Sequence, residues 1–170
     1  MRELDRAILH ALRLHGHEPR IEPLVLGFTR AGEHGVLWHV LCLMGAALDS
    51  RRRAAYLAAM RVVALAYIAN IALKYLVRRH RPRVEGLPGL SPTVTALSFP
   101  SAHSTTSFAA ARSLSASGGL RPHPLYALAC AMAVSRVYVG VHYPTDVAAG
   151  AALGTAIAQL LAPPAGRATR

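Results

Sequence analysis

The amino-acid sequence predicts an all-α fold, a polytopic membrane helix bundle of about five transmembrane helices that follows an N-terminal interfacial amphipathic segment. Of the 170 residues, 53% are hydrophobic and only 16% are charged, and the apolar residues are gathered into long segments. After Glu85 the chain contains a single acidic residue, Asp146. A soluble surface mixes charges of both signs, so we favour a membrane bundle over the alternative of a soluble all-helical domain.

The composition excludes several other classes of protein. The chain carries 19 basic and 8 acidic residues, a net charge of +11, but a nucleic-acid-binding domain needs a solvated basic face that so apolar a chain does not provide. The apolar content excludes disorder, and two cysteines inside apolar runs, Cys42 and Cys130, do not make a disulfide framework. The length suits one domain, so we predict a single membrane-embedded unit over residues 1–170.

Residues 1–32 are predicted to form the interfacial segment. The apolar residues of its first half share one face at helical spacing: Leu4, Ile8, Ala11 and Leu12. The segment is too polar to span a bilayer and lacks the layout of a signal peptide, which leaves a helix that lies in the membrane interface. Gly16, Pro19 and Pro23 divide it into two pieces.

Residues 33–163 are predicted to hold the membrane helices. A spanning helix needs about 20 mostly apolar residues. The last of five apolar segments reaches that length without interruption. The others reach it only if a charged residue at one end or one arginine is included, and the third is rich in Ser, Thr and Ala. Gly150 and Gly154 form a GxxxG pattern, which is typical of close packing between membrane helices. The five predicted helices cover residues 33–49, 54–78, 100–117, 124–141 and 144–163.

The loops between these helices are marked by arginine, proline and glycine. Arg51 to Arg53 close the first helix, and Pro82 ends the second element at Arg81. Since successive spans run in opposite directions, the end of the second helix, the start of the third, the end of the fourth and the start of the fifth lie on one side of the membrane. Polar residues form three clusters there, and ionisable residues in membrane helices are candidates for function by default.

The first cluster lies at the end of the second helix. Lys74, Arg78 and Arg81 fall on one helical face by their spacing. Cations near a helix end can simply extend to lipid headgroups, and we favour that interpretation for Arg78, Arg79 and Arg83. It is weaker for Lys74, which lies a turn or more deeper in the apolar helix and is the only lysine of the chain beside 18 arginines.

The second cluster starts the third helix. Pro100 followed by small hydroxyl residues is typical of a helix N-terminus, with Ser98 or Ser101 as the cap. The free N–H groups and the dipole of such an end attract an anion. His103 lies in this first turn, where it serves either the cap or the chemistry.

The third cluster joins the fourth and fifth helices and contains Ser135, Arg136, His142 and Asp146. Because His142 and Asp146 are four residues apart at a helix end that starts with proline, the carboxylate can hold one imidazole nitrogen and leave the other free as a base or nucleophile. The alternative is an aspartate that only stabilises the start of its own helix. Its being the only acid in the second half of the chain argues against that alternative.

Together the three clusters predict a site for a multiply charged anion, most simply phosphate. Two helix N-termini, two histidines, two arginines and a lysine face one place. A histidine oriented by a carboxylate suggests attack on phosphorus, and a second histidine suggests protonation of the leaving oxygen. The histidines elsewhere lack the spacing of metal ligands, so we predict no metal and no cofactor.

These residues resemble the motifs of the phosphatidic acid phosphatase type 2 superfamily of membrane lipid phosphatases. The family pattern is Lys, six residues, Arg-Pro; then Pro-Ser-Gly-His; then Ser-Arg, five residues, His, three residues, Asp. Ten of the eleven specified positions match in order and spacing, within residues 74–82, 100–103 and 135–146. The departure is Ala102, where the family has glycine. Alanine keeps the N–H donor but adds a methyl group near the phosphate, which affects the width of the pocket.

The resemblance implies a role for each matched residue. His142 would be the nucleophile that forms a phosphohistidine, and Asp146 would orient it. His103 would protonate the leaving group and then activate water. The phosphoryl oxygens would be held by the remaining polar side chains and one backbone N–H: Lys74, Arg81, Ser101, Arg136 and the N–H of Ala102.

The resemblance therefore implies a metal-independent phosphatase for a lipid-linked phosphomonoester or pyrophosphate. The candidate substrates are polyprenyl pyrophosphate, a polyprenyl-phosphoryl sugar phosphate, phosphatidylglycerophosphate and phosphatidic acid. The composition, rich in Arg, Ala and Gly, suggests a high-GC bacterium and favours a prenyl lipid. Two alternatives stay open: a lipid phosphotransferase with the same intermediate, and a non-enzymatic membrane protein that binds anionic lipid.

The expected location is the cell membrane, which the chain crosses several times. Arginines stand at both faces: Arg51 to Arg53 and Arg121 lie opposite the site, whereas the arginines of the first cluster lie on its side. Because bacterial members of the family often face outward, the resemblance implies an active site on the extracytoplasmic side. The implied partners are the lipid phosphate substrate and the bilayer.

Overall fold

The computed structural model describes four segments of the chain, residues 2–15, 18–84, 89–118 and 120–161. These segments contain seven α-helices. In chain order they are α1 (Arg2–His15), α2 (Glu22–Ala31), α3 (Val36–Leu48), α4 (Arg53–Val77), α5 (Ala102–Ala116), α6 (Pro122–Tyr138) and α7 (Pro144–Leu161).

The architecture is all-helical, as predicted. Single 3₁₀ turns precede two of the helices, Glu33–Gly35 before α3 and Ser50–Arg52 before α4. In the part of the chain that the structure describes, β-structure is limited to isolated bridges such as the one between His80 and Leu97. The segment predicted as interfacial forms two helices, α1 and α2, as expected, although Pro23 lies in the first turn of α2 instead of interrupting a helix.

Helices α3 to α7 correspond to the five predicted membrane helices, with described ends that agree to within three residues. Among the described residues, Ser50–Val77 is the one helix that is both long and apolar enough to cross a membrane by itself, while Glu33–Leu48 is apolar but shorter. The existence of the helices is therefore confirmed, and the count of five transmembrane helices stays a prediction.

Helix α5 lies at the centre of the bundle, where it packs against α4, α6 and α7. Helix α5 is too polar to be recognised as a membrane span by hydropathy, and its central position explains why it can be polar. Several of its hydroxyls are buried and bond to nearby carbonyls: Ser104 Oγ donates to Val147 O at 2.7 Å, and Thr105 Oγ1 donates to Ser101 O at 2.9 Å. A helix with small side chains satisfies its polar groups internally and lets its neighbours approach closely.

The close packing predicted for the GxxxG pattern of α7 is confirmed. A Cβ atom added at Gly150 would lie 2.6 Å from Ser101 O, and one added at Gly154 would overlap the carbonyl of Thr105. Glycine at both positions therefore allows α7 to lie directly against the backbone of α5. This contact brings the start of α5 and the start of α7 to the same place.

The main core lies between α3, α4, α5 and α6. Trp38 is its largest side chain, and its Nε1 donates a hydrogen bond to Ser107 Oγ at 2.8 Å. Outside this core, α3, α4 and α7 carry large apolar side chains on their surfaces, including Leu48, Leu76 and Leu160, each about 80% exposed. An outer surface of this kind suits contact with lipid.

Helix α1 has two faces with different surroundings. Asp5, Leu9 and Arg13, spaced four residues apart, are buried against α6 and α7. Leu4 and Ile8, on the predicted apolar face, remain 65% and 39% exposed. The prediction of an interfacial helix is thus incomplete, because α1 also docks on the bundle through a face that includes two charged residues.

The end of α4 differs from the prediction. The helix ends at Val77, and Arg78 follows in the left-handed region at φ 54°. The next residues run extended beside residues 96–98, where Arg81 N donates to Ala96 O at 3.0 Å. Arg81 therefore does not share a helical face with Lys74 and Arg78, because the left-handed cap turns the chain four residues before Pro82.

Candidate active site

The four predicted helix ends meet at one end of the bundle. Ser101 N, at the start of α5, donates to Asp146 O in α7 at 3.0 Å. Lys74 Nζ, in the last turn of α4, donates to Pro100 O at 3.0 Å. Arg81 donates through its guanidinium to Val141 O, just after α6, at 2.9 Å.

A cavity of about 100 Å³ opens at this meeting point. Six of the predicted site residues line it, and they come from the three motifs: Lys74, Arg81, Ala102, His103, Arg136 and His142. The other polar residues of the lining belong to no motif: Glu33, His34, Tyr67, Thr93 and Thr95.

The other two predicted site residues, Ser101 and Asp146, do not line the cavity and are fully buried. Ser101 is the N-cap of α5, and its Oγ accepts from Ser104 N at 3.5 Å. The prediction that Ser98 or Ser101 caps this helix is confirmed for Ser101. The hydroxyl of Ser101 consequently faces its own helix, which differs from the direct contact with phosphoryl oxygens that the resemblance implies.

His142 is buried between α6 and α7, with its two ring nitrogens in different surroundings. Nε2 lies 3.1 Å from a guanidinium nitrogen of Arg81, and since arginine can only donate, Nε2 is the acceptor and carries the lone pair. Nδ1 lies 3.7 Å from Asp146 Oδ2. Burial and then the positive charges of Arg81 and Arg136 hold the pKa of His142 well below its usual range. The imidazole is therefore neutral near pH 7.

Three cations face the same cavity from different elements. Lys74 Nζ is held by the carbonyls of Pro100 and Leu97. Burial lowers the pKa of Arg81 to about 10, against the opposing charge of Asp146, so its guanidinium stays charged near neutral pH. Arg136 is buried, and its Nε has no hydrogen-bond partner among the described residues. Such a concentration of positive charge in a small cavity suits an anion of more than one charge.

Asp146 serves its own helix and also neighbouring side chains. Its Oδ2 accepts from Tyr143 N at 2.9 Å, which is the helix-capping contact considered as the alternative. Its Oδ1 accepts from Arg79 at 2.8 Å. Asp146 therefore caps α7, pairs with a cation and lies beside His142 at once.

Arg79 does not extend to lipid headgroups, and that prediction is wrong. Its guanidinium bridges two carboxylates, Asp146 and Asp5, at 2.8 Å each, and lies 4.1 Å from the centre of the Tyr143 ring. Burial alone would raise the pKa of Asp5, but hydrogen bonds from Thr145 and Arg79 bring it below its usual range. The left-handed turn at Arg78 aims the following side chain back at the bundle, which helical periodicity does not reveal.

Thr29 of α2 is a site residue that the sequence does not predict. Its carbonyl accepts from His103 Nε2 at 3.0 Å. Its hydroxyl lies 2.6 Å from a guanidinium nitrogen of Arg136 and 3.1 Å from Ser135 Oγ. One buried residue of the N-terminal segment thus holds both His103 and Arg136. Its sequence position, in a short helix outside the motifs, carries no signal of this role.

Asn70 is a second unpredicted residue beneath the site. Its Nδ2 donates to Pro100 O at 3.2 Å and to Thr105 Oγ1 at 2.9 Å. It therefore fixes the start of α5 against α4, one turn before Lys74. A signal exists here, because a lone amide in the apolar helix α4 is a polar residue that needs a partner.

Comparison with known proteins gives a consistent set of relatives. The family model described as the PAP2 superfamily matches residues 55–168. The chain is 41% identical over 135 residues to the decaprenylphosphoryl-5-phosphoribose phosphatase of Mycobacterium tuberculosis, covering 79% of this chain and 75% of that protein. It is also 41% identical over 132 residues to the phosphatase of the same name from Mycolicibacterium smegmatis, covering 75% of this chain and 72% of that protein.

Two solved structures share the fold. The PAP2 type phosphatidylglycerolphosphate phosphatase from Bacillus subtilis superposes with a TM-score of 0.76 and 27% identity, covering 94% of this chain and 83% of that one. LpxE from Aquifex aeolicus superposes with a TM-score of 0.75 and 24% identity, covering 94% and 93%. The second similarity supports the fold alone.

Proposed function

The chain belongs to the PAP2 superfamily, and from that membership we propose that this membrane lipid phosphatase acts without a metal, through a phosphohistidine at His142. The observation that carries the proposal is the environment of His142 Nε2. This nitrogen presents a lone pair beside Arg81 in a cavity shared with Lys74 and Arg136. A neutral imidazole next to three cations is suited to attack the phosphorus of a bound phosphate.

In the first step, His142 Nε2 forms a bond to phosphorus while the bond from phosphorus to the leaving oxygen breaks. His103, which enters this step protonated on both ring nitrogens beside the anionic phosphate, gives that oxygen the proton on its Nδ1. The charge that develops on the His142 ring is balanced by Asp146 on the side of Nδ1. Lys74, Arg81, Arg136 and the N–H of Ala102 stabilise the phosphoryl oxygens. Since His103 Nε2 donates to Thr29 O, Nδ1 is the nitrogen left for this proton exchange.

In the second step, His103 accepts a proton from water as the water oxygen bonds to phosphorus and the bond to Nε2 breaks. Inorganic phosphate leaves, and His142 is neutral again. No charge needs to come from a metal ion, because the three side-chain cations offset the charge of the phosphate.

Among the candidate substrates, we propose a polyprenyl-phosphoryl sugar phosphate. The mycobacterial relatives that support this choice are named for a decaprenylphosphoryl phosphoribose and align over more than two thirds of their length. Their naming as phosphatases also argues against a non-enzymatic lipid-binding protein. The cavity lies where helix ends meet, so a substrate can keep its prenyl tail in lipid while its headgroup enters.

We propose that residues 1–170 form one unit with five membrane helices, α3 to α7, and that α1 lies in the interface. The exposed apolar residues Leu4 and Ile8 then face the bilayer while Asp5 faces the protein. We propose that the site faces the extracytoplasmic side, as the resemblance to the family's bacterial members implies.

Release of phosphate by the purified protein tests this proposal. We expect turnover of lipid phosphates in detergent without any added acceptor, undiminished by EDTA. His142→Ala should abolish it, while His123→Ala, at the exposed start of α6, should leave it unchanged. A strict Mg²⁺ requirement or full activity of His142→Ala would contradict the mechanism. Phosphate transfer that needs an added alcohol would instead favour a phosphotransferase.

A further inference from the structure

Polar side chains from outside the three motifs also line the cavity, and the proposed chemistry does not use them. Glu33 and His34 come from the turn between α2 and α3, and Tyr67 comes from the middle of α4. We call these three residues the headgroup rim. They line the same cavity as His142 and Arg136.

The backbone of the rim is held in an uncommon conformation. His34 and Gly35 are consecutive left-handed residues, with φ of 52° and 74°. A residue with a side chain rarely adopts this region, and such conformations persist where the surrounding structure fixes them, often at functional sites. A Cβ atom on Gly35 would lie only 3.2 Å from Val63, so the turn is packed closely against α4. This double left-handed turn brings Glu33 and His34 to the cavity.

The rim side chains are also ordered relative to each other. His34 Nδ1 lies 2.7 Å from the hydroxyl of Tyr67, and the two rings meet edge to face with centroids 5.6 Å apart. A hydroxyl and an imidazole can each donate or accept a hydrogen bond. The contact therefore fixes two polar groups at the cavity without tying up all of their hydrogen-bonding capacity.

Glu33 gives the rim its chemical preference. The motif residues Lys74, Arg81 and Arg136 attract a phosphate, whereas the carboxylate of Glu33 repels a second phosphate in the same cavity. A carboxylate accepts strong hydrogen bonds from hydroxyl groups. The cationic motif residues thus suit a phosphate, and the rim residues suit neutral hydroxyls attached to it.

We propose that the headgroup rim of Glu33, His34 and Tyr67 binds the hydroxyl groups of a phosphorylated sugar and selects such a headgroup over a pyrophosphate. The inference rests on the proposed function, since it assigns the specificity of the same cavity. A site built to bond substrate hydroxyls discriminates strongly against an analogue that lacks them, because its own polar groups are then left unpaired.

Two substrates with the same prenyl chain test the rim: a polyprenyl-phosphoryl pentose phosphate and a polyprenyl pyrophosphate. The measured quantity is the ratio of their kcat/KM values in detergent. We expect the wild-type protein to favour the pentose phosphate, and Glu33→Gln to lower the ratio by roughly tenfold or more. Tyr67→Phe and His34→Gly should lower it too, and glycine at position 34 preserves the left-handed backbone.

Glu3→Gln, an equal change of charge on the exposed side of α1, is the matched control and should leave the ratio unchanged. An unchanged ratio in Glu33→Gln and Tyr67→Phe overturns the inference. If the ratio is unchanged because both activities fall equally, the rim only supports Arg136. If the wild-type protein hydrolyses neither lipid, the proposed function itself fails. These outcomes separate a failure of the rim from a failure of the phosphatase.

Discussion

Arg79 compensates two buried carboxylates that would otherwise be costly to the fold. Asp5 and Asp146 are both almost completely removed from solvent, and the guanidinium lies 2.8 Å from each. The N–H of Thr145 adds a bond to Asp5 at 3.0 Å. A buried carboxylate needs such partners to remain ionised. The pairing with Arg79 thus links α1, through Asp146, to the surroundings of His142.

Replacing Arg79 by alanine should therefore damage both stability and turnover. Removing one partner of a buried ion pair costs on the order of 3 kcal/mol, because a charge stays buried without compensation. We expect a loss of this size in the free energy of unfolding in detergent, together with a fall of at least about tenfold in kcat. Arg83→Ala, at an exposed loop position, is the control. Equal behaviour of the two variants would restore the headgroup interpretation of Arg79.

The motif residues and their unpredicted partners differ in the kind of signal they leave in the sequence. Lys74, His103 and His142 are recognisable because residue type and spacing together define their chemistry. Asp5 bonds to Arg79 across 74 positions of the chain. A contact of that separation depends on how α1 docks, and no local pattern encodes it.

Helix α2 acts on the site through one residue, Thr29. The carbonyl of this residue orients His103, and its hydroxyl bonds to Arg136. Helix α2 contains no motif residue, so it contributes to the site by holding motif residues of other helices in place. Ser135 reaches the same hydroxyl, which gives the serine of the third motif a structural partner.

Thr29→Val tests this contribution, because it removes the hydroxyl but keeps the shape and the carbonyl. A hydrogen bond to a charged group is worth about 1.5–3 kcal/mol, so kcat/KM should fall roughly 10- to 100-fold. Thr106→Val is a matched change, since that buried hydroxyl bonds to carbonyls of its own helix, Ala102 and His103. A similar fall in both variants would indicate a general packing effect and argue against a specific role of Thr29.

The contact of α5 with α7 positions the starts of both helices, and with them His103 and Asp146. Gly154→Ala would force a methyl group onto the carbonyl of Thr105. We expect a loss of about 1–3 kcal/mol in the free energy of unfolding, accompanied by reduced activity. Gly27→Ala adds the same methyl where nothing lies within 4 Å, and it should be neutral or slightly stabilising. Identical melting of the two variants in detergent would show that the helices separate easily at Gly154.

Hydrophobic runs and loop residues predict the helices well, because α3 to α7 owe their extent to apolar length and to loops rich in Arg, Pro or Gly. The end of α4 was mispredicted for a specific reason. Arg78 takes a left-handed conformation that is unusual for arginine, and propensity cannot anticipate it. Propensity does not predict the headgroup rim either, because the geometry of the rim depends on the left-handed conformation of His34 at φ 52°. Both features depend on a non-glycine residue in the left-handed region, a conformation that tertiary structure fixes and that is often kept near functional sites.

The chain forms one unit only if α1 is packed stably on the helix bundle. Leu9 is the residue that best tests this packing. Leu9 is 1% exposed between the buried charges of the same face, whereas its neighbour Ile8 is 39% exposed. Leu9→Ala should lower the free energy of unfolding by about 2 kcal/mol or more, as is usual for buried leucine, and should reduce turnover because Asp5 would no longer hold Arg79. Ile8→Ala removes a similar side chain from the exposed face and should leave the unfolding transition in detergent nearly unchanged. Comparable effects of the two substitutions would mean that α1 associates with lipid alone, and that the site is complete without it.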